Sequence, residues 1–390
     1  MTSSHLPRTA DAVVIGGGAL GTSICYRLAV SGLSTVLLER KGLASGCTGT
    51  TVALVNASSK GPPVHYTELN LRSAQLYRSL SEELGADIGF EGRGNMGIVA
   101  ETQEEMEEAR RVAMTQSQVP GLRVEALDSG QAREMLPALS PHVVGATFCA
   151  ADGCVNSFRL TLAQAAAARR HGAQIVTGAT VTDILVRGSR VTGVVTDLGP
   201  VSAPVVAMAA GIHTPALAEK AGLRIPAMAK RGQIVTTEPL APLLPIPVGQ
   251  LRQVAWGSVI IGSTYENAGY TRDTEVPTLA SLANRAIRIF PALAGVRAMR
   301  FWSGLRPWPA DGLSIIGGAP SVEGLYVAVT HSGITLSPVI GIALSELVVD
   351  GSARIVDISP YSPARFDSAD PPGEDFKAFW KANRERLSRV

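Results

Sequence analysis

Short apolar runs separated by glycines open the chain. Residues 12–15 form a β-branched apolar run typical of a buried strand, and apolar positions then recur at helical spacing until Gly32. A second apolar run over 35–38 ends at Glu39. Because a buried strand, a helix and a second buried strand follow one another, the pattern predicts a β-α-β unit.

The same patterns predict the later elements. Helices are predicted over 66–84, 104–116, 279–290 and 336–349 and between 156 and 172, and strands over 94–100, 181–186, 191–196, 204–209 and 325–330. The segment 224–261 alternates strands with proline-rich turns, which indicates an antiparallel sheet. A strand, a glycine turn and an apolar helix recur together only near the end of the chain. The predicted fold class is therefore α/β, with a discontinuous Rossmann-type dinucleotide-binding domain and an inserted α+β substrate domain on a mixed or antiparallel sheet.

The length of the chain indicates how many domains it forms, and its net charge excludes one class of partner. A chain of 390 residues exceeds what one hydrophobic core usually supports. We predict a dinucleotide-binding domain from 10–85, 146–223 and 305–365, a substrate domain from 86–145 and 224–304, and a tail over 366–390. A net charge of +2 provides no basic field that would favour nucleic acid as a partner.

The cysteines and the first residues indicate the cellular compartment in which the protein is expected. The chain has four cysteines, too few and too scattered for a disulfide framework or a metal site: Cys25, Cys47, Cys149 and Cys154. We expect buried thiols, no bound metal and a reducing cytoplasm. The apolar stretch at 12–15 is too short for a signal sequence or a membrane span, so a soluble cytoplasmic protein is predicted, with peripheral attachment to a membrane through partners left open.

The glycines after the first strand match a dinucleotide fingerprint. Gly16 would make the tight turn, Gly18 would let the backbone approach a pyrophosphate, and Gly21 would let helix and strand pack closely. The helix N-terminus then offers N–H groups to the phosphates. Glu39 follows Gly21 by eighteen residues, where its carboxylate can accept hydrogen bonds from ribose hydroxyls. A carboxylate there would repel a 2′-phosphate, which disfavours NADP and leaves NAD and FAD.

Later segments resemble a known family of flavoproteins. These segments are the small-residue loop 43–49, the Ala-Ala-Gly at 209–211, Gly304-Leu305-Arg306-Pro307, and His331-Ser332-Gly333-Ile334-Thr335-Leu336. In this order they resemble the D-amino-acid oxidase superfamily of FAD-dependent oxidoreductases, especially its glycine oxidase and sarcosine oxidase branch, over nearly the whole chain. The resemblance implies that FAD is the cofactor. The residues expected to contact it are Gly16, Gly18, Ala19, Leu20, Gly21, Glu39, Arg40, Ser45, Cys47, Thr48, Val181, Ala210, Gly211, Arg306, Gly333, Ile334 and Thr335.

The resemblance also implies a substrate site. Arg306 matches the arginine that binds the substrate carboxylate in glycine oxidase-like enzymes, a task that suits a bidentate guanidinium. Tyr265, Trp302 and Trp308 are further candidates for the pocket. His331 is a candidate catalytic base, but amine oxidation by flavin needs no obligatory protein base, so a packed or flavin-contacting histidine is the alternative.

Some motifs depart from the glycine oxidase pattern. Ser332 stands where glycine oxidases carry a further arginine, so a second carboxylate clamp is absent or supplied elsewhere. The motif 330–336 is more similar to β subunits of heteromeric dehydrogenases such as opine oxidases and D-hydroxyproline dehydrogenase, which implies partner subunits carrying further redox centres. No cysteine or histidine stands where sarcosine oxidases attach flavin, so non-covalent FAD is expected. Arg231-Gly232-Gln233 resembles the start of the family's substrate sheet, with a structural role.

The predicted activity is FAD-dependent dehydrogenation of a primary or secondary amine. Hydride transfer from an amino-acid-like or opine-like substrate to the flavin would leave an imine that hydrolyses. Free N–H groups at Gly333 to Thr335 would stabilise the negative charge that reduction places on the flavin. Two alternatives are open at this point: an NAD-dependent opine or amino-acid dehydrogenase, and a subunit that carries FAD as an electron relay beside a catalytic partner.

Overall fold

A computed structural model of the protein describes residues 6–58, 60 and 63–367. Its strands, in chain order, are β1 Ala12–Ile15, β2 Thr35–Glu39, β3 Leu54–Val55, β4 Asn95–Ala100, β5 Glu125–Asp128, β6 Gly145–Cys149, β7 Gly153–Cys154, β8 Gln174–Thr177, β9 Val181–Arg187, β10 Arg190–Thr196, β11 Gly199–Ser202, β12 Val205–Met208, β13 Ala227–Pro239, β14 Leu251–Gln253, β15 Ser258–Ile261, β16 Ala298–Pro309, β17 Ile315–Gly318 and β18 Leu325–Val329. The α-helices are α1 Ala19–Val30, α2 Val64–Glu83, α3 Gln103–Gln116, α4 Ser129–Met135, α5 Ser157–Arg170, α6 Thr214–Lys220, α7 Val276–Ile289 and α8 Gly333–Asp350. The predicted tail lies outside the described residues apart from its first two positions.

A six-stranded sheet forms one half of the fold, in the order β17-β18-β12-β1-β2-β8. Strand β1 pairs in parallel with β2 on one side and with β12 on the other, and only β17 runs antiparallel to its neighbour. Helix α1 connects β1 to β2, as the apolar pattern predicts. The first strand of the chain therefore lies in the middle of this sheet.

The central strands are apolar throughout because both of their faces are covered. In β1, Ala12 and Val14 pack with the helical layer that contains α1, α5 and α8. Val13 and Ile15 point to the opposite face, where the antiparallel sheet of β9, β10 and β11 closes a second core. A continuous apolar run rather than an alternating one is the expected signature of such a doubly covered parallel sheet.

A second, antiparallel sheet lies in the predicted substrate domain. Strand β13 pairs along most of its length with β16, and the order is β14-β15-β13-β16. A three-stranded sheet, β4-β6-β5, adjoins it through a bridge between Met96 and Val248, and both pack on one shared core. The predicted fold class, a dinucleotide-binding α/β sheet with an inserted antiparallel part, is confirmed.

The division into domains stays a prediction, and two of its boundaries fall inside strands. The boundary at 145/146 cuts β6, which pairs with β4 and β5 of the substrate side. The boundary at 304/305 cuts β16, which runs through Pro307 to Pro309. Prolines favour the interpretation of this stretch as a turn, but β16 is an edge strand, where a residue without an N–H is tolerated.

Helix α8 begins three residues earlier than predicted, at Gly333. Pro338 lies within it and cannot donate a hydrogen bond to the carbonyl of Ile334. The hydroxyl of Tyr77, a buried residue of α2, donates to that carbonyl instead. Helix α8 is long and apolar enough to cross a membrane, but 61% of its 18 residues are buried against the rest of the protein, as in the core helix of a globular fold.

Candidate functional site

One cavity of about 540 Å³ joins the two halves of the fold. Its lining comes from the glycine turn after β1, the loop 45–54, the ends of β9 and β12, strand β16 and the start of α8. Every residue expected to contact FAD lines this cavity except Gly21. The volume is in the range of small-molecule and cofactor sites, about 300–1,000 Å³.

The glycine turn shows why these positions exclude side chains. Gly16 has φ +112°, and a Cβ there would lie 2.5 Å from the carbonyl oxygen of Ala209 on the neighbouring chain segment. A Cβ on Gly21 would lie 1.8 Å from the carbonyl oxygen of Gly16. Gly21 therefore does not face the cavity; it lets α1 pack directly on the end of β1, which brings the helix N-terminus to the cavity.

Glu39 is fixed by backbone donors at the end of β2. One carboxylate oxygen accepts from the N–H of Gly17 at 2.7 Å, and the other accepts from the N–H of Lys41 at 2.8 Å and from the hydroxyl of Ser45 at 3.3 Å. A carboxylate has about four lone-pair sites, so it can also accept from ribose hydroxyls in the cavity. The N–H of Ala19 at the start of α1 donates to Thr48 Oγ1 at 3.1 Å, which ties the loop to the helix N-terminus.

The first turn of α8 reaches the cavity from the other end of the chain. Gly333, Ile334 and Thr335 line it, and Ser332 precedes the helix without a side-chain cap to the first-turn N–H groups. Thr335 Oγ1 accepts from the N–H of Asn56 at 3.1 Å and so holds the helix against the loop. An uncapped helix N-terminus favours negative charge. Two helix N-termini and an acid that can accept from ribose hydroxyls lie in one cavity, and this arrangement fits the pyrophosphate, the flavin and the adenosine of FAD.

Arg306 is held from two sides by the substrate sheet. Its Nη2 donates to Ser263 Oγ at 3.1 Å, and its guanidinium lies over the ring of Tyr265, 4.4 Å from the centroid. Its Nη1 is buried and has no hydrogen-bond partner among the residues that the structure describes. Because a buried guanidinium nitrogen without a partner is costly, this atom is suited to bind an anion that enters the cavity.

Of the three aromatic residues predicted for the pocket, one lines the cavity and two lie behind its lining. Tyr265 lines the cavity, whereas Trp302 and Trp308 do not. Trp302 donates through its indole to the carbonyl of Thr50 at 3.3 Å and packs in a small apolar cluster. Trp308 meets Tyr265 edge-on, with centroids 5.8 Å apart, and stacks on His331 at 4.4 Å. The two tryptophans support the wall of the cavity from behind.

His331 lines the cavity with both ring nitrogens in hydrogen bonds. Nε2 lies 2.9 Å from the carbonyl oxygen of Gly312, and Nδ1 lies 3.1 Å from Ser332 Oγ. A carbonyl only accepts, so Nε2 carries the hydrogen and Nδ1 accepts from the serine hydroxyl. Burial holds the pKa of His331 well below its usual value, and the charges of Lys60 and Arg306 lower it further. This geometry favours a neutral packed histidine over a catalytic base.

Lys60 lies at the end of this wall, and the sequence offers no signal for it. Lys60 stands in a Ser-Ser-Lys-Gly-Pro-Pro segment that is typical of an exposed loop. It is nevertheless only 8% exposed to solvent, and it lines the cavity. Its Nζ donates to Ser332 Oγ at 3.0 Å. Burial lowers the pKa of Lys60 to about 8, the charge of Asp152 opposes this shift, and the charge of Arg306 adds to it.

Arg231 has the structural role that was expected of it. It is buried on β13 and forms ion pairs with Glu266 and Glu275, and Glu266 also accepts from Gln233. These contacts fasten the segment after Ser263 to the substrate sheet. The segment includes Tyr265, so the Arg231 pairs help to position the ring under Arg306.

Comparison with known proteins also identifies an FAD-dependent family, in agreement with a cavity that fits FAD. The profile of the family "FAD dependent oxidoreductase" matches residues 11–347. An opine oxidase subunit of Rhizobium meliloti is 30% identical over 92% of this chain and 98% of its own. The hydrogen cyanide synthase subunit HcnC of Pseudomonas aeruginosa is 33% identical over 92% of this chain and 97% of its own. The crystal structure of glycine oxidase from Geobacillus kaustophilus superimposes with a TM-score of 0.86 at 28% identity, covering 92% of this chain and 99% of that one.

Proposed function

Because the chain belongs to the family of FAD dependent oxidoreductases, we propose that it oxidises the carbon–nitrogen bond of an amino-acid-like primary or secondary amine. The observation that carries this proposal is the buried Nη1 of Arg306, which has no partner among the described residues and lies in the cavity that fits the cofactor. A carboxylate bound there would present the neighbouring Cα–N bond to the interior of the cavity. The family match also decides for FAD over NAD as the cofactor.

The chain's own residues would bind and orient the substrate. Arg306 would hold the carboxylate in the plane set by Ser263 and Tyr265. Bound FAD supplies an acceptor for the two electrons and the hydrogen that leave Cα. The positive charges of Arg306 and Lys60 disfavour a protonated amine beside them, so the reactive neutral amine is promoted without a protein base. His331 would position Ser332 and Lys60 rather than take a proton.

Anaerobic reduction of the flavin tests the proposal. Purified protein is expected to carry FAD, and its visible flavin absorbance should bleach on addition of at least one member of a panel of D-amino acids, N-methyl amino acids, D-hydroxyproline and opines. A control with the matching carboxylic acids that lack the amine should cause no bleaching. A flavin-loaded protein that no amine of the panel reduces would contradict amine oxidation and would favour the electron-relay role.

We also propose that the protein works as a subunit of a larger assembly in the cytoplasm. Two of the relatives are named as subunits, of opine oxidase and of hydrogen cyanide synthase. The chain shows no iron–sulfur spacing, so any further redox centre would belong to another chain. Reduced protein should then be reoxidised slowly by dioxygen and rapidly by an artificial acceptor dye. Rapid reoxidation by dioxygen alone would contradict this proposal and identify an oxidase.

A further inference from the structure

The chain between β15 and α7 reaches from one half of the fold to the other. We call its residues 264–275 the strap, and Tyr265 and Arg272 of the strap line the cavity. Between these two, the ring of Tyr270 stacks on the ring of His213, with centroids 6.5 Å apart and planes 22° from parallel. His213 follows β12 of the six-stranded sheet. The strap therefore starts and ends in the predicted substrate domain and touches the dinucleotide-binding half between its ends.

Two strands of the antiparallel sheet hold the strap at both ends. Arg231 of β13 forms ion pairs with Glu266 near the start of the strap and with Glu275 at its end. The hydroxyl of Ser303 on β16 donates to the backbone carbonyl of Arg272. The backbone from which the Arg272 side chain extends is therefore fixed, although the residue itself is exposed at the edge of the cavity.

The charge of Arg272 acts on residues at both ends of the cavity. Burial raises the pKa of Cys47, and the charges of Arg306 and Arg272 oppose this shift. Burial lowers the pKa of His213, and the charges of Arg40 and Arg272 lower it further. Cys47 lies in the loop expected to pass along the flavin, and Arg40 follows the acid at the ribose end. Arg272 therefore lies between the flavin end and the ribose end, where a dinucleotide carries its phosphates.

The glycine turn before α1 supplies only some of the donors that a pyrophosphate can accept from. The N–H of Gly17 already donates to the carboxylate of Glu39 at 2.7 Å. The N–H of Ala19 already donates to Thr48 Oγ1 at 3.1 Å. A guanidinium binds phosphate oxygens through parallel hydrogen bonds, and Arg272 forms no ion pair within the part of the chain that the structure describes. Its charge is thus available to the phosphates.

We infer that Arg272 binds the pyrophosphate of FAD and that the strap closes over the cofactor, held down by the contact of Tyr270 with His213. The N-terminus of α1 holds the phosphates from the dinucleotide-binding half, and Arg272 holds them from the strap. FAD leaves only when the strap opens, so the strap slows its dissociation. This inference depends on the cofactor of the family and not on the identity of the substrate.

Fragments of FAD test the phosphate contact. ADP contains the pyrophosphate and adenosine lacks it, and the binding of FAD, ADP and adenosine is measured on protein from which the flavin has been removed. Arg272→Met should weaken FAD and ADP about tenfold, the lower end for a charge-assisted hydrogen bond because the residue is exposed, and leave adenosine unchanged. Arg300→Met is the matched control, because Arg300 is exposed on β16 and does not line the cavity. Equal weakening of all three ligands, or no change in any of them, would overturn the assignment to the pyrophosphate.

The rate at which FAD dissociates tests the closure of the strap. The FAD-loaded protein is diluted, and the rise in flavin fluorescence reports release. Tyr270→Ala removes the ring that stacks on His213, so FAD should leave about 2 to 10 times faster, as expected from the contribution of one ring contact. Tyr270→Phe keeps the ring and should restore the slow release. If Tyr270→Ala releases FAD at the unaltered rate, the strap does not retain the cofactor.

Reduction of the flavin by amines separates this inference from the proposed function. If Arg272→Met binds FAD with unchanged affinity but is reduced more slowly by amines when saturated with FAD, Arg272 belongs to the substrate and the inference is wrong. If no amine reduces the flavin of the unaltered protein, the proposed function fails, and the binding of FAD and ADP still decides the role of Arg272.

Discussion

Arg306→Met is the substitution that most directly probes the substrate site. Methionine retains much of the apolar stem of the arginine but removes every donor of the guanidinium. Nη1 has no partner among the described residues and Nη2 spends one hydrogen on Ser263, so one Nη1 hydrogen and the second Nη2 hydrogen can reach a carboxylate together. At about 1.5–3 kcal/mol for each charged hydrogen bond, the substitution should cost about 3–6 kcal/mol of binding.

This loss corresponds to a rise of about 10²–10⁴ in the dissociation constant of an amino-acid-like substrate. Anaerobic stopped-flow reduction of the flavin, measured over a range of substrate concentrations, separates that constant from the limiting rate. Arg306→Lys should recover part of the affinity, because it keeps the charge but not the planar fork that rests on Tyr265. Arg300→Met is the control: Arg300 lies on the same strand but is exposed to solvent.

A small effect of Arg306→Met would refute this reasoning. If the substitution changes the dissociation constant by less than about threefold while the flavin spectrum stays normal, Arg306 does not bind the carboxylate. The buried Nη1 would then need another explanation, and an electron-relay role for the chain would become the better proposal.

Three further predictions concern the cofactor and the fold. Gly21→Ala should greatly weaken FAD binding and lower the melting temperature, because the new Cβ would lie 1.8 Å from a backbone oxygen. Gly42→Ala is the control, since the space around Gly42 is open, and it should change neither quantity. A thermal-shift assay measures the melting temperature, and the flavin retained after purification measures FAD binding. Tyr77→Phe should lower the free energy of unfolding by about 0.5–1.5 kcal/mol in urea titrations, since the buried carbonyl of Ile334 loses this donor and keeps only the hydroxyl of Ser337 at 3.3 Å. An unchanged midpoint would show that the Ser337 hydroxyl is a sufficient donor. Acid precipitation should release all flavin into the supernatant, and flavin retained in the pellet would contradict non-covalent binding.

The dinucleotide half of the site was predictable because its geometry is local in sequence. A strand, a turn with three glycines, a helix and a second strand follow one another directly, and the hand of a β-α-β connection leaves little freedom in how they pack. Gly16, Gly18 and Glu39 therefore meet wherever this pattern folds, and the structure brings them to one cavity. Resemblance to a family, rather than periodicity, supplied Arg306 and the start of α8.

The substrate half was decided by contacts between distant segments. Nothing near Lys60 in the chain marks it as buried. Ser332 before α8, Gln116 of α3 and the nearby Asp152 surround it only when the chain is folded. The sequence of 304–309 likewise does not indicate a strand, because prolines favour a turn. The structure shows that this strand lies at a sheet edge, where prolines are tolerated.

By itself the sequence determined the β-α-β unit and a dinucleotide as the class of cofactor, since backbone sterics and helix dipoles act over neighbouring residues; the resemblance to a family narrowed the dinucleotide to FAD. Only the tertiary structure decided that Trp308 stands behind His331, that His331 is neutral with both nitrogens bonded, and that Lys60 and Arg306 share one wall. The physical reason is that burial and the pairing of charges depend on which remote segments surround a group, and these two effects set the chemistry of the site.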